Sequence, residues 1–304
     1  MMSDTSKAAI YLKQDKLVAF PTETVYGLGG NALSDKAVAA IYEAKGRPTF
    51  NPLIVHVASL AMAKKYVLVN EWAENLAEQF WPGPLTMVLP RQKDCELSLL
   101  VSAGLDSVGI RMPAHPLARK LLEESGLPLA APSANRSGKI SPTLAPHVQE
   151  ELEDRVEMIL DGGACEVGIE STVVDLTGGT PVILRPGSIT KEQIGKTVPL
   201  SESVSSQIKA PGMLRSHYAP SKSVRLNATD VREGEGLLVF GKPIKGASLI
   251  ENLSESGDLK EAAANLFRML RVLDASDVIS IAVMPIPEIG LGVAINDRLR
   301  RAAA

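Results

Sequence analysis

The sequence predicts a mixed α/β protein with a large N-terminal unit and a smaller C-terminal one, and three observations predict it. From Lys16 to about Thr190, short apolar runs bounded by Gly or Pro alternate with amphipathic segments. Few hairpin signals join these runs, which points to a mixed sheet carrying helices. From Val198 to Pro220 the pattern lapses into Ser201, Ser203, Ser205, Ser206, Pro211 and Gly212, a linker composition, before strand–helix alternation resumes.

In chain order, Leu17–Phe20, Leu53–Val57, Leu85–Leu89, Ser107–Arg111, Val156–Leu160, Thr172–Leu176 and Val182–Leu184 read as strands, being brief and rich in Val, Ile and Leu. Between them Ser34–Ala44 reads as a helix. Ser34 can cap it, Val38, Ile41 and Tyr42 fall on one face, and Gly46 suits the left-handed position that ends it. Lys45 and Arg47 then flank a helix terminus. Glu71–Phe80 and Pro116–Ser125 are further helices. Beyond the linker, Gly236–Phe240, Ala247–Ile250 and Val278–Val283 read as strands and Asp258–Leu273 as an amphipathic helix with Ala262, Leu266, Met269, Leu270 and Leu273 inward. Gly290–Ala304 closes the chain as a helix or turn and helix. The units run 1–197 and 221–304, joined by 198–220.

The bulk properties narrow the function. A chain of 304 residues, 45% hydrophobic and 22% charged, has the composition of a globular protein with a sizeable core. A net charge of -3 argues against a surface coated in cations for non-specific nucleic-acid binding, though not against a local basic cleft. Cys95 and Cys165 are far apart with no CxxC, as expected of reduced thiols. No apolar segment follows the polar N-terminus, and no run reaches the roughly 18–20 residues of a membrane span. The expected compartment is the cytoplasm, without membrane association.

The common catalytic signatures are missing: no phosphate-binding Gly-x-x-x-x-Gly-Lys-Ser/Thr, no third glycine after Gly27-Leu-Gly29, no His-Glu-x-x-His, no Gly-x-Ser-x-Gly. No dedicated metal site is expected. What stands out is a series of cations, hydroxyls and amides beside Gly or Pro: Phe20–Gly29, Lys45-Gly-Arg-Pro48, Asn51–His56, Gly109–Arg111, Pro132-Ser-Ala-Asn135, Glu170–Thr172 and Leu184–Gly187. Each has an ordinary reading. Lys45 and Arg47 could be solvated charges at a helix end, and His56 a satisfied core histidine. Arg111 ends a buried strand and needs an anion, either an Asp or Glu or a substrate carboxylate. Ser133 and Asn135 could be caps, Ser171 and Thr172 strand-edge hydroxyls, and Arg185 a surface strand end. Together they suggest a pocket for a polyanion with a small polar co-substrate, in which Arg supplies a planar donor fork and Lys a point charge.

On these motifs, with Pro211-Gly-Met213, His217-Tyr-Ala-Pro220 and Gly290–Ile295 plus Arg298-Leu299 and Arg301-Ala302, the chain resembles the two-domain threonylcarbamoyl-AMP synthases of the YrdC-like family over nearly its whole length. The resemblance implies an open, twisted mixed YrdC-like sheet with helices, followed by a Rossmann-like C-terminal α/β domain. It implies synthesis of L-threonylcarbamoyl-AMP and pyrophosphate from L-threonine, bicarbonate and ATP with Mg2+. A separate transferase would carry the product to tRNA, making N6-threonylcarbamoyladenosine beside the anticodon. Lys45 and Arg47 would be catalytic and bridge carbamate and phosphates. Thr22, Tyr26, His56, Arg111 and Ser171 or Thr172 would hold threonine. Asn51, Pro132, Ser133, Asn135 and Arg185 would hold ATP, with His217 and Tyr218 closing over it. The alternative is a module that binds double-stranded RNA or tRNA without adenylation.

Overall fold

Alternation along the first strand sorts the large unit into layers. β1 (Val18–Phe20) sends Val18 and Phe20 to one face and Ala19 to the other. The first face is covered by α1 (Asp4–Lys13) and α5 (Pro116–Ser125), whose Ala8, Leu12, Ala118, Leu121 and Leu122 share a core with Val18 and Phe20. The second face is covered by α2 (Asp35–Lys45) and α4 (Glu71–Phe80) through Val38, Ile41, Ala73 and Leu76. The computed structural model describes residues 2–201 and 217–304. The expectations at Ser203, Ser205, Ser206 and Pro211-Gly-Met213 lie outside the described residues.

The remaining elements of the large unit are β2 (Gly27–Asn31), β3 (Ile54–His56), α3 (Leu60–Ala63), β4 (Leu85–Pro90), β5 (Ser107–Arg111) and β6 (Leu129–Ala130). They continue with α6 (Ala145–Leu152), β7 (Met158–Ile159), β8 (Thr172–Asp175), β9 (Val182–Arg185) and α7 (Lys191–Gly195). Among the described residues these strands form a nine-stranded mixed sheet, β7-β1-β2-β6-β3-β5-β4-β8-β9. Every strand expected before the linker is present, and the helix expected at Ser34–Ala44 has Ser34 accepting from the Ala37 N–H and Gly46 at φ 58°. β2 is a strand the apolar pattern does not announce, because Gly27-Leu-Gly-Gly-Asn31 carries one large side chain. A Cβ on Gly29 would lie 2.7 Å from the Phe20 ring, so the glycine is what lets β1 and β2 pair with Phe20 between them.

Past residue 217 the chain forms β10 (Val224–Arg225), β11 (Glu235–Val239), β12 (Ile250–Asn252), α8 (Leu259–Ala275), β13 (Ser280–Val283) and α9 (Leu291–Ala302). The sheet order is β10-β13-β11-β12, all parallel. α8 buries Ala262, Leu266, Met269, Leu270 and Leu273, the stripe the sequence predicts. The strand expected at Ala247–Ile250 starts instead at Ile250, since before it only the Leu249 carbonyl joins β11, accepting from the Leu237 N–H. No described helix is long and apolar enough to cross a membrane.

Candidate active site

A polar rung crosses three interior strands of the large sheet at one end of them. β3 and β5 run parallel with His56 opposite Arg111, and Thr86 of β4 stands opposite Arg111 on its other side. The ends of parallel strands are where α/β sheets leave room for ligands. Four other segments wall a cavity around this rung. They are Thr22, Thr24 and Val25 after β1, Ala131–Ser133 after β6, Glu170 and Ser171 before β8, and Arg185 closing β9. Gly27 and Ser133 face each other across an isolated bridge, and Arg47, His217 and Tyr218 complete the lining.

Two buried cations stand out. Lys45 ends α2, where the left-handed turn at Gly46 pulls the chain inward, and its Nζ donates to the carbonyls of Ser133 (2.5 Å) and Asn135. Arg47 donates to the Asn51 carbonyl (3.2 Å) and the Pro52 carbonyl (2.9 Å). Neither makes an ion pair with a carboxylate among the described residues. Burial, and then the neighbouring Arg47, push the Lys45 ammonium well below its ordinary value, while burial brings Arg47 down to about 10. Arg47 lines the cavity and Lys45 sits behind the lining residue Ser133, so both are buried cations held only by neutral carbonyls, poised for an anion that the chain does not supply.

The opposite wall is charge-balanced. Arg111 pairs with Glu23 at 2.6 Å and donates to Thr24 Oγ1 at 2.9 Å, with both charged groups buried. Of the two partners open for Arg111 in the sequence, the structure supplies the carboxylate, Glu23. Burial would raise Glu23, but the Arg111 charge and hydrogen bond more than offset it and hold the carboxyl below its usual range. Two guanidinium N–H groups of Arg111 still have no partner among the described residues. His56 has no hydrogen bond to either ring nitrogen, and burial, then the Arg111 charge, keep the imidazole neutral. An unpartnered neutral imidazole can donate from one nitrogen and accept at the other. Ser171 Oγ lies 2.8 Å from Thr86 Oγ1 and accepts from Arg185, whose guanidinium also donates to the Ser171 carbonyl.

Five expected residues are not in the cavity lining: Lys45, Asn51 and Asn135, which lie beside it, and Tyr26 and Thr172, whose side chains are engaged elsewhere. Tyr26 is fully buried behind it, its hydroxyl donating to the Gly163 carbonyl at 2.8 Å and accepting from the Gly162 N–H, because alternation past Val25 turns the ring away. Thr172 Oγ1 donates to the Ile189 carbonyl at 2.7 Å and accepts from its N–H, so of the pair only Ser171 faces the cavity. Asn51 and Asn135 lie just outside the lining. Each keeps a buried side-chain carbonyl oxygen with no partner, while Asn135 Nδ2 donates to the Arg136 and Lys139 carbonyls. Thr22 Oγ1 is committed to the Val25 carbonyl at 2.6 Å.

His217 and Tyr218 form one wall. Their rings meet edge to face at 4.1 Å, and Tyr218 stacks on Phe267 of α8 at 5.4 Å. Burial lowers His217 to about 3, so it is neutral here. Glu23, Thr24 and Glu170 are the site residues the sequence reading left without a role. A lone Glu inside Pro21-Thr-Glu-Thr-Val was the available signal for the Arg111 partner. Among the described residues no three His, Cys, Asp or Glu side chains are grouped to hold a metal, and Glu23 and Glu170 are both spent on arginines. The donors present suit a metal carried by phosphate oxygens better than one ligated by the chain.

Between them, two family profiles match nearly the whole chain. The Sua5–YciO–YrdC family profile, described as telomere recombination, matches residues 10–187. The profile of the threonylcarbamoyl-AMP synthase C-terminal domain matches residues 189–304. The threonylcarbamoyl-AMP synthase of Pyrococcus abyssi is 45% identical, covering 97% of this chain and 93% of its own. That of Bacillus subtilis is 42% identical, covering 98% and 92%. A crystal structure of P. abyssi Sua5 complexed with L-threonine superposes with a TM-score of 0.90 at 44% identity, over 98% of this chain and 94% of that one.

Proposed function

The chain belongs to the Sua5–YciO–YrdC family in its two-domain form, and from that premise we propose that its cleft makes L-threonylcarbamoyl-AMP from L-threonine, bicarbonate and ATP. One observation carries the proposal: Lys45 and Arg47 are buried without a carboxylate partner beside a wall offering His56, spare Arg111 N–H groups and Ser171. In the proposed reaction the threonine amine, as its free base, combines with bicarbonate to give a carbamate and water. A carbamate oxygen forms a bond to the α-phosphorus and pyrophosphate leaves with the electron pair of the broken P–O bond. The carbamate is already an anionic nucleophile, so no strong general base is needed. What the chain must do is hold two anions together and meet the charge that develops on the phosphates.

Lys45 and Arg47 suit that task, the point charge bridging carbamate and phosphate and the fork binding phosphate oxygens. Arg111 and His56 would take the threonine carboxylate, and Ser171 with the Thr22 segment its amine and hydroxyl. Ser133, Pro132 and Arg185 would hold the nucleotide, with the unpartnered Asn51 and Asn135 oxygens accepting from it. Mg2+ would travel on the phosphates. The product is an activated mixed anhydride, which a separate transferase would pass to tRNA. The RNA-binding alternative is not favoured, because Lys45, Arg47 and Arg185 are all at least 93% buried, out of reach of a duplex backbone.

Purified protein given ATP, L-threonine, bicarbonate and Mg2+ should yield threonylcarbamoyl-AMP by mass spectrometry with release of pyrophosphate. Omitting any one substrate should abolish the adduct. Release of ADP, or an adduct formed equally well without threonine, would refute the reaction.

A proton linkage follows from Lys45. Burial lowers the Lys45 pKa in the free cleft, whereas a bound triphosphate raises it. ATP binding should therefore take up a proton, and affinity should fall as pH rises from the free toward the bound pKa. Calorimetry over a series of pH values from neutral to alkaline, each in two buffers of different ionisation enthalpy, should show a window of net proton uptake that is absent in Lys45→Met. Equal enthalpies in both buffers at every pH would show that Lys45 does not change protonation.

A further inference from the structure

We propose that Arg298, on the C-terminal helix α9, is a positioning residue for adenylation, fixing through Glu170 and the Pro186 carbonyl the two segments that carry Ser171 and Arg185. The inference rests on the reading of the cleft as the site of threonylcarbamoyl-AMP formation. Arg298 is completely buried, reaches Glu170 at 3.0 Å through Nε, and donates from Nη1 to the Pro186 carbonyl at 2.6 Å and to Asp297 at 3.0 Å. Glu170 lines the cavity and also accepts from Ser141 at 2.5 Å. One guanidinium from the second unit thus ties together two stretches of the first, 128 and 112 positions away in the chain, and Glu170 extends the link to Ser141.

A second, independent contact concerns the same segment. A Cβ on Gly168 would come 2.4 Å from the Ala263 carbonyl of α8, and Ile169 is buried in one cluster with Leu266, Phe267 and Tyr218. The residues Gly168, Ile169 and Glu170 are therefore seated on the second unit in succession. Ser171, next in line, is the one that turns into the cavity. Gly187 fixes the other arm: its hydrogen-only side chain lies where a Cβ would be 2.4 Å from the Thr172 nitrogen, so 170–172 and 185–187 are packed backbone against backbone. Loss of Arg298 would leave Glu170 buried with Arg185 as the nearest remaining cation to neutralise it. Arg185 is a nucleotide-side group in the proposed reaction, and drawing it toward Glu170 would misplace it.

The test compares Arg298→Met, Arg298→Lys and the double variant Arg298→Met with Glu170→Gln, measuring kcat and KM for threonine and ATP beside thermal unfolding. Arg298→Met should lower kcat/KM about 10- to 100-fold, the scale of small misplacements of reacting groups. Arg298→Lys, which can pair with Glu170 but not also reach Pro186, should restore part of it. The double variant, having no unpaired carboxylate, should regain thermal stability without regaining kcat/KM. Activity that returns in step with stability, or an Arg298→Met protein within threefold of wild type, would overturn the proposal. If Arg298→Met does not fold, the Lys variant and the double variant decide it on the same criteria. Should the wild-type protein form no adduct, the adenylation reading fails by itself. Amide exchange at 168–172 and 185–187, expected to rise in Arg298→Lys, then tests the positioning separately, and unchanged exchange would overturn it.

Discussion

Lys45→Ala and Arg47→Ala should each lower turnover by roughly 10²–10³-fold, the scale seen when a preorganised donor is taken from a developing charge. The folded chain should survive both changes. Truncating Lys45 costs two carbonyls their donor, about 1–3 kcal/mol for each one left dry, but it also removes an ammonium whose burial no carboxylate offsets. The two effects oppose each other, so the melting temperature should move little while kcat collapses. A purely structural lysine would show the reverse. Turnover within a factor of a few of wild type, in a variant that unfolds at the wild-type temperature, would remove Lys45 and Arg47 from the mechanism.

Arg111→Ala should act on both stability and binding. Glu23 would be left buried without its counter-ion, and breaking a buried pair from one side costs about 3–5 kcal/mol. Threonine binding should weaken by about 1.5–3 kcal/mol for a lost charged hydrogen bond. A companion substitution separates the two. In Arg111→Ala with Glu23→Gln the uncompensated carboxylate is gone, so stability should partly return while threonine affinity stays low. Recovery of both together would mean that Arg111 serves the fold alone. The pH dependence has a definite sign. Glu23 has a folded pKa below its unfolded one, so its stabilising contribution is complete above the ordinary carboxylate range and is lost as pH falls through the folded value. Denaturant titrations from neutral to acid pH should therefore show wild type losing stability that Glu23→Gln never had.

The site was partly legible because its cations sit at places local rules define. Lys45 and Arg47 are fixed by a helix that Ser34 opens and Gly46 closes, and His56 and Arg111 by the ends of apolar strands. Periodicity names the strand but not the direction of every polar side chain beside it. Tyr26 and Thr172 occupy the right segments yet face the wrong way, since one residue of alternation decides between cavity and core. Glu23 could be suspected from its setting, whereas nothing near Glu170 in the chain points to Arg298.

The sequence by itself determined the α/β class, the order of nearly all strands and helices, and the segments from which a polyanion site is built. These rest on short-range patterns: apolar alternation, caps, glycine and proline. Only the tertiary structure decided which charges are compensated. Arg111 and Glu170 are satisfied from 88 and 128 positions away, while Lys45 and Arg47 are left to neutral carbonyls. Desolvation makes that difference matter, because a buried charge must be matched by whatever the fold brings within a few ångströms, whatever its distance along the chain.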